Sequence, residues 1–354
     1  ARLSAMTNSP REAPAGASPH TQASHSTLSR GTFTRMVSVL TVVQAVGTMT
    51  PLVIPAIAPA VAEGYGMPAY MIGYQSSLMY VGMVLSMMSG TNLTLRWGAA
   101  RAMQFGLFLV AISSAASALG SVALLVPASI VMGIGYGLLT PAGSHVLLRF
   151  TPMGIRNLIF SIKQSGVPLG VVVAALLGPG IAVRFGWQAA LLACAGVSLA
   201  MIALLQPWRG IIDDERDPAV PLVANPVGPV RTMWGTKPLR YLVLAASLLA
   251  WSQVCQHSFT VNLFFDDLHF TLVEAGYMLM VAQLGGFVGR PFWGWVADRM
   301  RDSRRTMTIL VAILATAEIA TATLGAGWPV AAMVLLFFVF GATASGWHGA
   351  FLAE

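Results

Sequence analysis

The sequence predicts an all-α, polytopic membrane protein, and three observations carry that prediction. Of its 354 residues, 56% are apolar and only 9% charged, where a soluble domain carries about 25% charged residues. The apolar residues gather into runs long enough to cross a bilayer, which takes roughly 17–25 residues each. The Arg and Lys residues collect in alternate connections between those runs, the pattern of a chain that crosses a membrane repeatedly. A soluble chain this apolar would lack polar residues to cover its core. Lipid removes that requirement, because the outer face can itself be apolar.

Taken in order, the predicted spans are 36–62, 70–92, 102–119, 121–147, 157–183, 188–207, 239–264, 271–297, 306–325 and 328–350. Residues 1–35 are rich in Ser, Thr, Ala and Pro without an apolar core and read as a disordered cytoplasmic tail. The run after them is too long for the h-region of a cleavable signal. One connection is long: the 208–238 linker, with Asp213, Asp214, Glu215, Arg216 and Asp217 followed by several prolines. It separates a six-helix bundle over 36–207 from a second bundle over 239–354. Arg96, Arg101, Arg149, Arg156, Arg209, Lys237, Arg240, Arg299, Arg304 and Arg305 fall on the linker's side, and only Arg184 opposite. That bias puts the linker and the N-terminus in the cytoplasm.

Several function classes drop out. The net charge of +7 is dispersed over short loops, so it offers no nucleic-acid surface. Cys194 and Cys255 lie inside apolar runs, which leaves no disulfide framework and no metal motif. No nucleophile–base pair, P-loop or dinucleotide fingerprint is present. The expectation is a non-enzyme without metal or other cofactor, monomeric, whose partners are the lipid bilayer and a small-molecule substrate, with a proton as a candidate second one.

Two connections carry a recognisable pattern. Gly294-Trp-Val-Ala-Asp298-Arg299, then Arg301, Arg304 and Arg305, closes the eighth span. Thr91-Asn-Leu-Thr-Leu95-Arg96-Trp97-Gly98 closes the second. With six spans before a long linker, these resemble the major facilitator superfamily and its G-x-x-x-D-R-x-G-R-R loop signature. Arg301 replaces the second Gly of that signature, and Leu95 and Thr91 replace the Asp and Gly of the earlier loop. The segment from Phe160 to Gly170 and the Phe185-Gly-Trp step are also similar to bacterial members. The resemblance implies a carrier built of two parallel six-helix repeats, with Gly294, Asp298, Arg299, Arg96 and Gly98 in its gates. It also implies twelve helices, so a chain ending just past the tenth is expected to be truncated, with a four-helix second half.

Polar residues inside spans point to the site, because an ionised one costs about 2.5–3.5 kcal/mol at the bilayer centre. Lys163 lies about 10 Å inside the fifth span and Arg290 about 12 Å inside the eighth, at 1.5 Å per residue. Two cations at one depth suit an anionic substrate, and Arg can grip a carboxylate bidentately. The Gly289-Arg290 step also resembles the oxalate and monocarboxylate branches, where an Arg on this helix contacts substrate. Gln164, Gln44, Gln75, Gln253 and His257 are the further cavity candidates, and Glu318 the candidate for proton coupling. The Gly133-x-Gly135-x-Gly137 and Gly285-Gly286-x-x-Gly289 clusters predict close helix packing. The expected function is a secondary transporter of a small organic anion. Drug efflux is the alternative, though Ala174, Ala182 and Val183 stand where such antiporters carry Gly. A non-transporting receptor or scaffold is the third reading.

Overall fold

The computed structural model describes residues 28–152, 156–222, 231, 234–300, 303–325 and 327–347. Within them the chain is helical and forms no strand. The main helices are α1 (Arg30–Ala56), α2 (Ala58–Tyr65), α3 (Ile72–Trp97), α4 (Ala99–Ser117), α5 (Val122–Phe150), α6 (Arg156–Gln164), α7 (Gly166–Phe185) and α8 (Trp187–Leu205). After a short α9 (Arg209–Ile212) come α10 (Lys237–Asn262), α11 (Leu272–Met300), α12 (Ser303–Ala322) and α13 (Val330–Ala344). Eight helical segments are long and apolar enough to cross a membrane, and α3, bent by 56°, makes a ninth if it is one span. Of the predicted tenth span, 328–350, the structure describes α13, 15 residues long, and residues 348–350 lie outside the described residues.

Local chemistry explains the ends and breaks. The first helix starts six residues before its apolar run, because the Ser29 hydroxyl accepts from the Thr32 amide and caps it. It carries Pro51 and Pro55 inside and breaks at Ile57, each proline having removed a donor from the ladder. Gly98 and Gly186 turn the chain sharply between α3 and α4 and between α7 and α8, at φ of 99° and 88°. Both values favour glycine. Thr271 and Glu274 form a capping box ahead of α11, with reciprocal bonds of 2.9 and 3.3 Å. The predicted fifth span is found as one membrane-length segment over 162–185, with its hydrogen-bond ladder interrupted at Ser165 between α6 and α7.

The glycine clusters pack as predicted. A methyl group at Gly133 would strike the Met79 carbonyl, and one at Gly82 the Ile130 carbonyl, so α3 and α5 touch backbone to backbone. The same contacts recur beyond the linker: Gly341 faces the Ala282 carbonyl and Gly285 faces that of Phe338, joining α11 to α13. The shift that superimposes Gly82 on Gly285 also superimposes Met79 on Ala282. The shift that superimposes Gly133 on Gly341 also superimposes Ile130 on Phe338. The two sets of helices therefore repeat one packing device in one order. They meet where α7 packs on α11 and where α1 and α3 pack on α10.

The linker is folded against the ends of α3, α4 and α5. Asp213 accepts a 2.7 Å bond from the Ala100 amide at the start of α4, with Arg101 at 3.7 Å. Arg149 grips Asp214 with two nitrogens and pairs with Glu215 at 3.0 Å. Large apolar side chains such as Tyr74, Leu248, Trp251 and Ile319 point outward, which costs little only if lipid surrounds them.

Candidate substrate site

The junction of α7 and α11 is polar, and its geometry starts with one proline. Pro168 has no amide hydrogen, so it cannot donate to the carbonyl four residues back, that of Gln164. The helix parts there, and the Gln164 carbonyl takes its donor from across the junction: Arg290 Nη1, at 3.0 Å. Arg290 Nε also donates to the Ser345 carbonyl at 3.3 Å. Ser345 caps the C-terminus of α13, where carbonyls outrun the intrahelical ladder. A charged guanidinium, partly buried at the junction, thus holds two main-chain carbonyls, one on each side of the linker in sequence.

Lys163 also converges on Gln164, its Nζ lying 3.4 Å from the side-chain oxygen Oε1. Unlike Arg290 it is enclosed, 1% exposed, with its terminal carbons and nitrogen against Gly143 of α5. Among the described residues, the ion pairs are those of Arg101 and Arg149 with the linker, and neither Lys163 nor Arg290 takes part in one.

Further buried amides lie on α1, α3 and α10. Gln44 on α1, Gln75 on α3 and Gln256 on α10 are buried, and their amide groups make no hydrogen bond to the described residues. His257 is buried beside Gln283 and within electrostatic reach of Arg290. Gln253 donates to the Ser345 hydroxyl at 3.1 Å, which ties it to the residue whose carbonyl accepts from Arg290. Sequence reading missed Tyr136, Tyr80 and Gln283. Tyr136 on α5 lies within electrostatic reach of both Arg290 and Tyr80, and its hydroxyl is 3.4 Å from that of Thr48. In sequence, a tyrosine in an apolar run reads as ordinary packing material. Only the fold places it beside a cation.

The remaining candidates lie elsewhere. Glu318 sits on the exposed side of α12 and accepts a hydrogen bond from Ser252 of α10. Arg96 donates to the Val220 carbonyl at 3.0 Å, and Gly98 lies against Asp213. The carboxylate that Leu95 lacks is supplied to this loop by the linker. Among the described residues nothing lies within 4 Å of a methyl placed at Gly294, whereas Gly285 and Gly289 lie against α13. Arg299 is exposed on the last turn of α11, and the Asp298 side chain lies outside the described residues. Among the described residues no group of acids, His or Cys could hold a metal.

A family model described as Major Facilitator Superfamily matches residues 37–353. Among curated proteins, the chain is 24% identical over 300 residues to the 3-(3-hydroxy-phenyl)propionate transporter of Escherichia coli (strain K12), covering 82% of this chain and 70% of that one. It is 23% identical over 280 residues to the sodium-dependent phosphate transport protein 1, chloroplastic, of Arabidopsis thaliana, covering 74% and 54%. The chain spans about half the length of the first curated relatives it matches. A solved structure of a bacterial homologue of the human lysosomal transporter Spinster, inward-facing and occupied, superimposes with a TM-score of 0.66 at 17% identity. That match covers 92% of this chain and 74% of the other.

Proposed function

Because the chain belongs to the Major Facilitator Superfamily, we propose that it works as a secondary transporter of a small organic carboxylate, moved by alternating access with proton symport or exchange. The observation that carries the reading is Arg290, partly buried at the junction of the two helix sets and bonded to carbonyls instead of a carboxylate. A neutral carbonyl is a weaker acceptor than a carboxylate, which can take two parallel bonds from the guanidinium fork. Lys163, enclosed against Gly143, adds a further hydrogen-bond donor beside Gln164. Gln44, Gln75, Gln256 and Tyr136 offer hydrogen bonds to the rest of such a solute. Its relatives' names, one an aromatic propionate transporter and another a phosphate transport protein, agree with an anionic cargo.

The test is uptake and counterflow of 3-(3-hydroxyphenyl)propionate in proteoliposomes, run beside inorganic phosphate and a cationic dye. Removing one partner of a desolvated charge-assisted contact costs about 2–5 kcal/mol, or roughly 30-fold and more in affinity. Arg290→Gln should bring anion counterflow to background, and Arg290→Lys should recover only part, since an ammonium lacks the fork. Full anion transport by Arg290→Gln, or transport of the dye alone, would favour the amphiphile-efflux reading.

A further inference from the structure

We infer that Arg290 is also a latch, holding the span formed by α6 and α7 to α11 through the Gln164 carbonyl at the end of α6 until an anion takes that carbonyl's place. The inference rests on the anion-carrier reading for its trigger, but the latch itself stands on backbone geometry.

Each helix of the pair is firmly tied to a different neighbour. On one side, Gly166 and Gly170 of α7 press against the Thr41 and Ala45 carbonyls of α1. On the other, Gly285 and Gly289 of α11 press against α13. Between these two units, α7 and α11 touch toward one end at Gly276, which faces the Ala175 carbonyl and Pro179. Toward the linker end they are joined by Arg290 on Gln164. From Gly276 to Arg290 is about 21 Å of helix at 1.5 Å per residue. A small pivot at Gly276 therefore opens a gap of several ångströms at the latch once the Arg290 bond is released.

The bond is built to be exchangeable. Pro168 withholds the intrahelical donor from the Gln164 carbonyl, so that carbonyl depends on Arg290, and a buried carbonyl is costly to leave unpaired. Arg290, being charged, gains more from a carboxylate than from a neutral oxygen. An arriving anion draws the guanidinium toward itself and leaves the Gln164 carbonyl to water in the opened cavity. Binding and separation of the helix pair become one event, and a ligand shifts a conformational equilibrium only through such differential contact.

The experiment restores the missing donor. Pro168→Ala supplies an amide hydrogen that closes the helical ladder onto Gln164 and leaves Arg290 intact. Spin labels go on Leu148→Cys and Met300→Cys, at the linker-side ends of α5 and α11, in the full chain with Cys194→Ser and Cys255→Ser. Without ligand, Pro168→Ala should show a second, more separated distance population. Arg290→Lys, a second route should the proline variant fold poorly, should show it too. The parent protein should show it only with 3-(3-hydroxyphenyl)propionate, which Pro168→Ala should bind about three- to tenfold more tightly. Unchanged ligand-free distances in both variants would overturn the latch even if Arg290→Gln abolishes transport. Separation in the ligand-free variants, with a parent blind to the anion, would uphold the contact and overturn its trigger.

Discussion

A methyl group at Gly133 would lie closer to the Met79 carbonyl oxygen than side-chain carbons sit in folded proteins. The backbone of α3 cannot yield as a flexible side chain would. Overpacking of this kind costs about 1–3 kcal/mol. At Gly196, inside α8, a methyl group meets nothing within 4 Å, and Ala is favoured over Gly in a helix by about 0.8–1 kcal/mol. Gly133→Ala should therefore lower the thermal midpoint of the detergent-solubilised protein, read by size-exclusion after heating, and Gly196→Ala should hold or raise it. Equal midpoints would mean α3 and α5 are less tightly joined than their glycines indicate. At this scale the sequence announced the clustered glycines, because close packing needs small residues in helical register. It did not announce Tyr136 or the Ser345 carbonyl, which matter to Arg290 only through contacts between segments remote in the chain.

The linker segment after α9 acts as a staple across helix ends. Its acids behave differently with pH. The Arg149 hydrogen bond, first, holds Asp214 below its ordinary value of 3.8. The stability from that pair is present above the ordinary value and is lost as pH falls through the lowered one. Burial raises Asp213 instead, so acidification through its range relieves a desolvation cost and does not loosen the staple. The segment should hold down to about pH 4, the usual carboxylate range, and come free below it. With Asp214 about half exposed, the pair is worth only about 0.2–1 kcal/mol. Arg149→Gln should lower the amide-exchange protection factors over 213–222 at pH 7 by at most about fivefold, a loss of protection that acid alone reproduces in the parent once the pH dependence of intrinsic exchange is divided out. No change in either case would detach the acids from the helix ends. The hydropathy of 208–238 showed a polar connection and could not show this anchoring, since the partners lie on three other helices. Likewise, the unbroken apolar run over 157–183 hid the break at Ser165. Pro168 was the available signal, and it takes on meaning beside the Arg290 that donates to the carbonyl it frees.

Across the whole molecule, one packing device used twice accounts for much of the architecture, while the charges set its orientation. Arg96, Arg101 and Arg149 stand at the linker-side ends of α3, α4 and α5, each bonded to backbone or acids there. The opposite ends carry Asp266 and Asp267 beyond α10 and Glu274 at the start of α11. Basic connections stay on the cytoplasmic side during insertion, and the bias is counted in short loops near span ends. The linker is therefore expected inside and Asp267 outside. Pro218→Cys and Asp267→Cys test this in a background with Cys194→Ser and Cys255→Ser, because both positions are exposed. A membrane-impermeant maleimide added to intact cells should label position 267 and miss 218, and permeabilisation should expose both. Labelling of 218 in intact cells would invert the chain.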